Sequence, residues 1–225
     1  MTHAMVFDAV RTPRGKGKKD GSLHSVKPVD LLGGLLNQLQ ARHGFDTAQV
    51  DDVVMGCVSP VGEQGSVLPK TALLKAGWDF RVSGVQINRF CASGLEAVNM
   101  AAQKVASGWE DLVVAGGVES MSRAPFVMPK AESAFSRSNT VYDTTIGWRF
   151  INKLMKEKYG VDSMPETAEN VAADFKINRE DQDRMALASQ TKAVAAQKAG
   201  YFDSEICPVT IPQKKGDAVV VHVDE

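Results

Sequence analysis

Within VQINRFCASG at residues 85–94, an apolar strand pattern changes into a helical pattern, and this change indicates the fold class. Residues 85–88 predict a strand, and residues 92–107 predict a helix of small residues that ends at Gly108. Residues 112–115 form a continuous apolar run, which is typical of a strand buried on both faces. A strand, a helix and a second strand in this order predict a layered α/β domain with a largely parallel sheet.

The residues before this stretch predict the same alternation of strands and helices. Residues 5–10 and 52–58 are apolar enough for two further strands, and the first is expected to be short and buried. Between them, Pro28 fits the first turn of a helix whose apolar residues recur at helical spacing. A shorter helix is predicted over residues 68–76. Residues 1–121 therefore predict one compact α/β domain.

The composition changes after the fourth predicted strand, and residues 122–225 are predicted as a second, mostly helical domain that is incomplete. Residues 167–175 and 178–198 predict its two best helices, and Asn178 has the features of an N-cap. The apolar segments within residues 206–223 predict a hairpin. None of these segments is expected to return to the sheet, which indicates either that the chain is truncated or that a partner chain completes the fold.

The composition is that of an ordinary globular protein, and it argues against several functional classes. The formal net charge of the 225 residues is −1, so no overall field attracts nucleic acid or a membrane. The cationic run at residues 11–19 is either a solvated loop or a patch for an anionic ligand such as a phosphate. The four histidines show no metal-ligand spacing, and no apolar run could span a bilayer. With three scattered cysteines and no signal-peptide pattern, we expect a cytoplasmic protein without a bound metal.

Cys91 is the candidate catalytic residue, because it stands where the predicted strand turns into the helix. The dipole and the unpaired amides of a helix N-terminus stabilise a thiolate and can hold an oxyanion formed on a thioester carbonyl. A thiolate is both a good nucleophile and a good leaving group, which suits exchange between thioesters. The alternative is that Cys91 is a small buried apolar residue, the role that we expect for Cys57 and Cys207. Gly116 and Gly117 follow a strand and would let a ligand approach the carboxyl edge of the sheet.

Several motifs resemble those of the thiolase family, and they occur in order over nearly the whole chain. The nucleophile motif is NRFCASG at residues 88–94. The other matching motifs are FDAVRTP at 7–13, AGGVESMS at 115–122, MPETAENV at 164–171, REDQD at 179–183 and SQTKA at 189–193. Because so many motifs match in order, the resemblance is much more specific than any one of them.

The resemblance implies a five-layered fold of two similar α/β halves, with a mostly helical loop domain inserted in the first half. It implies an acyltransferase of the kind used in fatty acid metabolism, which exchanges acyl groups between CoA thioesters through an acyl-Cys91 intermediate. It also implies that Met164 lines the acyl pocket. Coenzyme A is then a substrate, no cofactor is permanently bound, and the partners are acyl-CoA and further copies of the chain in a homodimer or homotetramer. The strand at residues 85–88 would contribute to the interface between copies.

Two segments bear on substrate choice within the family. DTTIGWRF at residues 143–150 looks like the long loop-domain variant of degradative and β-ketoadipyl-CoA thiolases. Ser163 stands where some biosynthetic members have His, which disfavours narrow acetoacetyl specificity. A departure is SVLPK at residues 66–70, where the family usually has Asn-Pro-Ala-Arg. Acyl-chain preference and the direction of the reaction stay open at this point.

The sequence lacks three groups that the resemblance places in a C-terminal half: a catalytic His in a Gly-His-Pro motif, a second catalytic Cys, and an oxyanion-hole Asn. Loss of the base costs orders of magnitude in rate, so we expect the 225 residues alone to be inactive. The leading hypothesis is the N-terminal part of an acetyl-CoA acetyltransferase or 3-ketoacyl-CoA thiolase. A β-ketoacyl carrier-protein synthase fits the motifs at residues 119–122 and 167–171 less well. A different alternative is a truncated, non-catalytic half-thiolase that dimerises or binds CoA.

Overall fold

The computed structural model describes residues 3–225, which divide into two compact units. The first unit contains the residues up to Pro125 together with Glu205–Glu225, and the second is Phe126–Ser204. A three-stranded parallel sheet packs with three helices in the first unit. The strands are β1 (Asp52–Gly56), β2 (Ser83–Ile87) and β3 (Val113–Gly117), and the helices are α1 (Pro28–His43), α2 (Leu68–Ala76) and α3 (Ser93–Ala106).

β1 is the central strand of the sheet, whose order is β2-β1-β3. Asp52 of β1 lies opposite Ser83 of β2 and Val113 of β3, so the three parallel strands begin at a common level. Val53 and Val54 have no exposed surface, which explains why β1 is a continuous apolar run rather than an alternating one. The predicted α/β class with a parallel sheet is confirmed.

The main core lies where β1 meets α1 and α2. Val53 and Met55 of β1 belong to one cluster with apolar residues of both helices and of the segments that follow them. The other buried members of this cluster are Leu32, Leu36, Val50, Leu68, Ala72, Leu73, Trp78 and Val82. Burial of these side chains fixes the position of β1 and therefore of the segment at its carboxyl end.

α3 packs against β1 and β3 through small residues. Ala97 is fully buried, and Ala101 is 8% exposed. Ser93 approaches β1 so closely that a Cβ added at Gly56 would lie 2.5 Å from the Ser93 carbonyl carbon. Glycine at position 56 therefore allows the start of α3 to lie against the carboxyl end of β1.

The second unit is mostly helical. Asn178 accepts a hydrogen bond from the Asp181 amide at 2.8 Å, which confirms it as an N-cap. Ser163 and Glu166 form a capping box, so the helix predicted from residue 167 begins earlier. The elements are β4 (Phe126–Val127), β5 (Tyr142–Asp143), α4 (Lys153–Tyr159), α5 (Met164–Asp174) and α6 (Arg179–Lys198).

The prediction of a strand at residues 5–10 is wrong. Met5, Val6 and Phe7 are 71%, 81% and 85% exposed, and this segment forms no strand in the described part of the chain. A strand exists only where a neighbouring strand completes its hydrogen bonds, and an apolar pattern carries no information about that neighbour. Arg11, directly after the segment, forms a single parallel bridge with Ile206.

Residues 205–225 lie in the first unit, whereas the domain division predicted at residue 121 assigns them to the second domain. The Arg11 amide donates to the Glu205 carbonyl at 2.9 Å, and the Cys207 amide donates to the Arg11 carbonyl at 2.8 Å. Within this segment, β6 (Val209–Ile211) and β7 (Val219–Val221) pair antiparallel, as the predicted hairpin requires. The chain thus returns to the first unit, but it does not rejoin the parallel sheet, as the sequence predicted.

Charged residues hold this returning segment in place. The Arg11 guanidinium donates to both carboxylate oxygens of Asp224, at 2.7 and 2.8 Å, and to Glu205 at 2.6 Å. Arg11 in turn lowers the pKa of the Asp224 carboxyl below its ordinary value. Glu225 accepts hydrogen bonds from the amides of Lys16 and Ser22. We call the Arg11–Asp224 pair the clamp; because of it, part of the cationic run is a structural contact rather than a patch for an anionic ligand.

Candidate active site

Cys91 is exposed and lies two residues before the start of α3. Phe90, just before it, has a φ of +48°, a left-handed conformation that residues of this type rarely adopt. The Ser93 hydroxyl accepts a hydrogen bond from the Arg89 amide at 2.9 Å and donates to the Phe90 carbonyl at 2.6 Å. The predicted strand-to-helix turn is confirmed, and the structure adds that the turn is strained and closed by its own hydrogen bonds.

The amides of this turn are not equally available. The Ala92 amide donates to the Arg89 carbonyl at 3.1 Å, and the Ser93 amide donates to the Phe90 carbonyl at 2.9 Å. The Cys91 amide has no hydrogen-bond acceptor in the described part of the chain. Fewer amides can therefore donate to an oxyanion than the sequence indicates, because the Ala92 and Ser93 amides already donate to carbonyls of the turn.

Exposure separates Cys91 from the other two cysteines. Cys57 is 2% exposed, and burial, aided by the negative charge of Glu119, raises the pKa of its thiol to about 11. Cys207 is 4% exposed, and burial raises the pKa of its thiol as well. Both are neutral thiols near pH 7, as expected for structural cysteines. The alternative in which Cys91 is a small buried apolar residue is wrong, because its side chain is open to solvent.

Cys91 lines a cavity of about 320 Å³ at the carboxyl ends of β1 and β3. These ends are Gly56 and Gly117, and a Cβ added at Gly117 would lie 2.9 Å from the Gly56 carbonyl oxygen. Glycine at position 117 thus allows β1 and β3 to lie close together, whereas the approach of a ligand at this edge stays a prediction. The carboxyl edge of parallel strands is the usual place for a ligand in an open α/β sheet. The other lining residues are Cys57, Val58, Phe90, Ser93, Gly94, Val118 and Glu119.

A fully buried amide connects the segments around this cavity. Gln64 donates through Nε2 to the Ser59 carbonyl at 3.1 Å and to the Glu119 carboxylate at 2.9 Å. Its Oε1 accepts from the Ser120 amide, and its main-chain carbonyl accepts from the Gln86 side chain at 2.8 Å. A buried polar group that makes this many hydrogen bonds fixes the geometry around it. The sequence alone does not single out Gln64, because the partners of its side chain are distant in the chain and the surrounding residues 62–65, GEQG, do not reveal them.

Met164 is the first residue of α5 and is 73% exposed. It belongs to the second unit, whereas Cys91 belongs to the first. Its predicted role in binding the acyl group stays a prediction.

Among residues 3–225, no three side chains of His, Cys, Asp or Glu gather in a way that could hold a metal ion. No helix in this range combines the length and the apolar character that crossing a membrane requires. The cytoplasmic location stays a prediction.

The chain matches known proteins over almost its whole length. The model of the thiolase N-terminal domain family matches residues 4–225. The β-ketoadipyl-CoA thiolase of Pseudomonas aeruginosa is 51% identical over 218 residues, which cover 96% of this chain and 54% of that protein. The acetyl-CoA acetyltransferase of Cupriavidus necator is 41% identical over 226 residues, which cover 100% of this chain and 56% of that protein.

The fold has a close counterpart among solved structures. The crystal structure of the Bacillus anthracis acetyl-CoA acetyltransferase superposes with a TM-score of 0.85 at 34% identity, covering 99% of this chain and 55% of that one. The chain therefore spans about half the length of the relatives that it matches. The resemblance inferred from the motifs is confirmed: this chain belongs to the thiolase family, of which it carries the N-terminal domain.

Proposed function

We propose that the protein is a CoA-dependent acyltransferase in which Cys91 carries the acyl group as a thioester. The observation that carries this proposal is the exposed Cys91 thiol on a strained turn beside a cavity, in a chain whose other two cysteines are buried neutral thiols. Membership of the thiolase family supports the thioester chemistry, since its named relatives are thiolases and acetyltransferases.

In the thiolytic direction, the Cys91 Sγ attacks the C3 carbonyl carbon of a 3-ketoacyl-CoA. A C–S bond forms, the C2–C3 bond breaks, and C2 takes up a proton to give acetyl-CoA. The thiolate of a second CoA then attacks the acyl-Cys91 thioester, and the Cys91 thiolate leaves as the new acyl-CoA forms. Because one thioester is exchanged for another, the second step is nearly isoenergetic and runs in either direction.

Negative charge develops on the attacked carbonyl oxygen in both steps, on the C3 ketone oxygen in the first attack and on the acyl-Cys91 thioester oxygen in the second. We assign the Cys91 amide as one donor to this oxygen, because it is the amide of the turn that has no other acceptor among residues 3–225. Among residues 3–225, no histidine lines the cavity. The proton transfers therefore need groups that the family resemblance places outside this sequence, which is why the 225 residues alone are expected not to turn over.

The substrate that we propose is a β-ketoadipyl-CoA-like thioester rather than acetoacetyl-CoA. The relatives with that name in two Pseudomonas species are 51% and 54% identical to this chain, whereas the named acetyl-CoA acetyltransferase is 41% identical. We assign Met164 to the acyl pocket. In the whole protein, Met164→Ala should raise KM for the longer 3-ketoacyl-CoA more than KM for acetoacetyl-CoA. If both KM values change equally, Met164 does not line the acyl pocket.

The test of the acyl-Cys91 intermediate is to mix the polypeptide carrying this sequence with radiolabelled acetyl-CoA, in the absence of free CoA, and to map the label by peptide mass spectrometry. We expect one labelled peptide, which contains Cys91, and no label in the Cys91→Ser variant. Cys207→Ser is the matched control and should be labelled like the unchanged protein. Label on another residue, or no label in the whole protein, would overturn the proposal.

A second candidate is a non-catalytic half-thiolase that dimerises or binds CoA. The observation in its favour is that no histidine among residues 3–225 lines the cavity beside Cys91. Light scattering with and without CoA, run beside a turnover assay, separates the two candidates. CoA binding without any acyl-Cys91 would favour this candidate, whereas a homodimer or homotetramer with turnover would favour the enzyme. In either assembly we propose that β2, an edge strand of the sheet, contributes to the interface.

A further inference from the structure

The turn that presents Cys91 holds a conformation that its own residues disfavour. Phe90 has a φ of +48°, and L-residues keep such a conformation only where the surroundings impose it. Ser93 closes the turn from the helix side. The strand side needs its own support, because the residues before Phe90 would otherwise relax together with it.

Asn88 supplies this support on the strand side. Its Oδ1 accepts a hydrogen bond from the Phe90 amide at 2.9 Å, and its Nδ2 donates to the Val58 carbonyl at 3.0 Å. Because both ends of the side-chain amide are occupied, Asn88 joins the turn to the segment that follows β1. The position of the turn then depends on how firmly this segment is held.

Glu119 holds the segment after β1. Its Oε2 accepts from the Val58 amide at 2.7 Å, and its Oε1 accepts from the Ser59 amide at 3.2 Å. The buried Gln64 donates to the same Oε1 at 2.9 Å. Val58 is therefore bound on both sides, by Glu119 through its N–H and by Asn88 through its C=O.

We propose that Glu119 is a positioning residue for Cys91, acting through Val58 and Asn88 on the strained turn. We call this chain of hydrogen bonds the Glu119 relay. The inference rests on the proposed function, because it gives the relay a role in acyl transfer to Cys91. A carboxylate suits the role, since each of its oxygens accepts from a main-chain amide. Glutamine at this position would have one accepting oxygen and would turn an NH₂ group towards a donor.

The test compares Glu119→Gln and Asn88→Ala with the unchanged whole protein in single-turnover acylation by acetyl-CoA. We expect the rate of Cys91 acylation at saturation to fall about 10- to 100-fold in each variant, because small displacements of a reacting atom have effects of this size. The half-saturating acetyl-CoA concentration should change by less than about twofold, since the relay acts on the turn and not on CoA binding. Glu132→Gln, the same exchange at an exposed glutamate of the second unit, should leave both values unchanged.

The double variant Glu119→Gln with Asn88→Ala provides the second criterion. Two residues of one relay act on the same turn, so the double variant should be no slower than the slower single variant. Multiplying effects would overturn the inference, as would an acylation rate in Glu119→Gln equal to that of the unchanged protein. Loss of the pH dependence of acylation in Glu119→Gln would also overturn it, because Glu119 would then exchange protons in the reaction itself.

Alkylation of Cys91 by iodoacetamide, followed by peptide mass spectrometry, keeps this inference separate from the proposed function. If the unchanged protein is alkylated at Cys91 but never acylated, the proposed function fails. If the unchanged protein is acylated and both relay variants are acylated equally fast, the relay fails while the proposed function stands. Circular dichroism and the melting temperature are recorded for every variant. If Glu119→Gln does not fold, Asn88→Ala decides alone, because Asn88 is exposed.

Discussion

The two units differ in what stabilises their secondary structure. In the first unit, β1 and α2 are held by burial: Val53, Val54 and Leu73 have no exposed surface. In the second unit, α4, α5 and α6 contain no buried residue, and each begins at a side-chain cap. Tertiary packing therefore fixes the elements around Cys91, whereas local hydrogen bonds define the helices of the second unit, including α5, which begins with Met164.

The largest expected effect is on the packed core. Leu73→Ala should lower the free energy of unfolding of the first unit by about 2–5 kcal/mol, because it removes a fully buried side chain and leaves a cavity. Leu74→Ala on the same helix is the matched control, since Leu74 is 54% exposed and should cost little. Hydrogen exchange measured at increasing urea concentration gives the change in the free energy of unfolding separately for each unit. Equal acceleration of exchange in α6 would show that the two units unfold together and would break the comparison.

A smaller effect is expected at the clamp. Asp224→Asn should lower the free energy of unfolding of the first unit by about 1–3 kcal/mol near pH 7, because Asp224 accepts two charged hydrogen bonds from Arg11. The lower end of this range is expected, since the Arg11 side chain is 34% exposed and solvent screens the pair. Asp217→Asn, at an exposed aspartate of the same segment, is the control.

The contribution of the clamp to stability should also depend on pH, and it should decrease in acid. Arg11 lowers the pKa of Asp224 below its ordinary value of 3.8, so its stabilising contribution is complete above that value. The contribution is lost as the pH falls through the lowered pKa. The difference in stability between the unchanged protein and Asp224→Asn should therefore shrink as the pH falls below about 3.8. A difference that grows on acidification would contradict this assignment.

The cap of α5 should have a smaller effect still. Ser163→Ala removes the hydroxyl that accepts from the Glu166 amide and should destabilise α5 by about 1 kcal/mol. Exchange of the first-turn amides of α5 should accelerate, while that of β1 should not. Ser189→Ala, within α6, changes the same atoms away from a helix terminus and is the control. If both substitutions have equal effects, local capping does not define α5.

The smallest effect is predicted for an exposed ion pair of α6. Arg179 and Asp183 lie one turn apart with N–O at 2.8 Å, and both side chains are mostly exposed. Asp183→Ala should leave the urea midpoint unchanged within error, because solvent and salt screen such pairs. A clear loss would show that charge pairs, and not only caps, stabilise the helices of the second unit.

Local patterns predicted much of the first unit. Residues 85–88 and the helix after Cys91 have the periods of a strand and of a helix, and both exist, the strand because β1 lies beside it. The strand predicted at residues 5–10 failed because a strand depends on a neighbour that the pattern does not contain. The motif around Cys91 predicted where the thiol lies, but it did not predict the left-handed Phe90.

The Glu119 relay could not be predicted for the same reason. Glu119 and Val58 are 61 residues apart, and Gln64 and Ser120 are 56 residues apart. Hydrogen bonds at such separations follow from the pairing of β1 with β3, not from residue types along the chain. The returning segment at residues 205–225 escaped prediction because its partner Arg11 lies at the opposite end of the sequence.

The clamp has a consequence for the order in which the protein can fold during synthesis. The side-chain partners of Arg11 are made 194 and 213 residues after it, once the whole second unit has been translated. The strands of the parallel sheet all lie within the first 117 residues. The sheet can therefore assemble before Glu205 and Asp224 have been synthesised. Contacts this distant in the chain form late, because loop closure must precede them. On the ribosome, the cavity beside Cys91 would thus take shape before the segment carrying residues 5–11 is tied down.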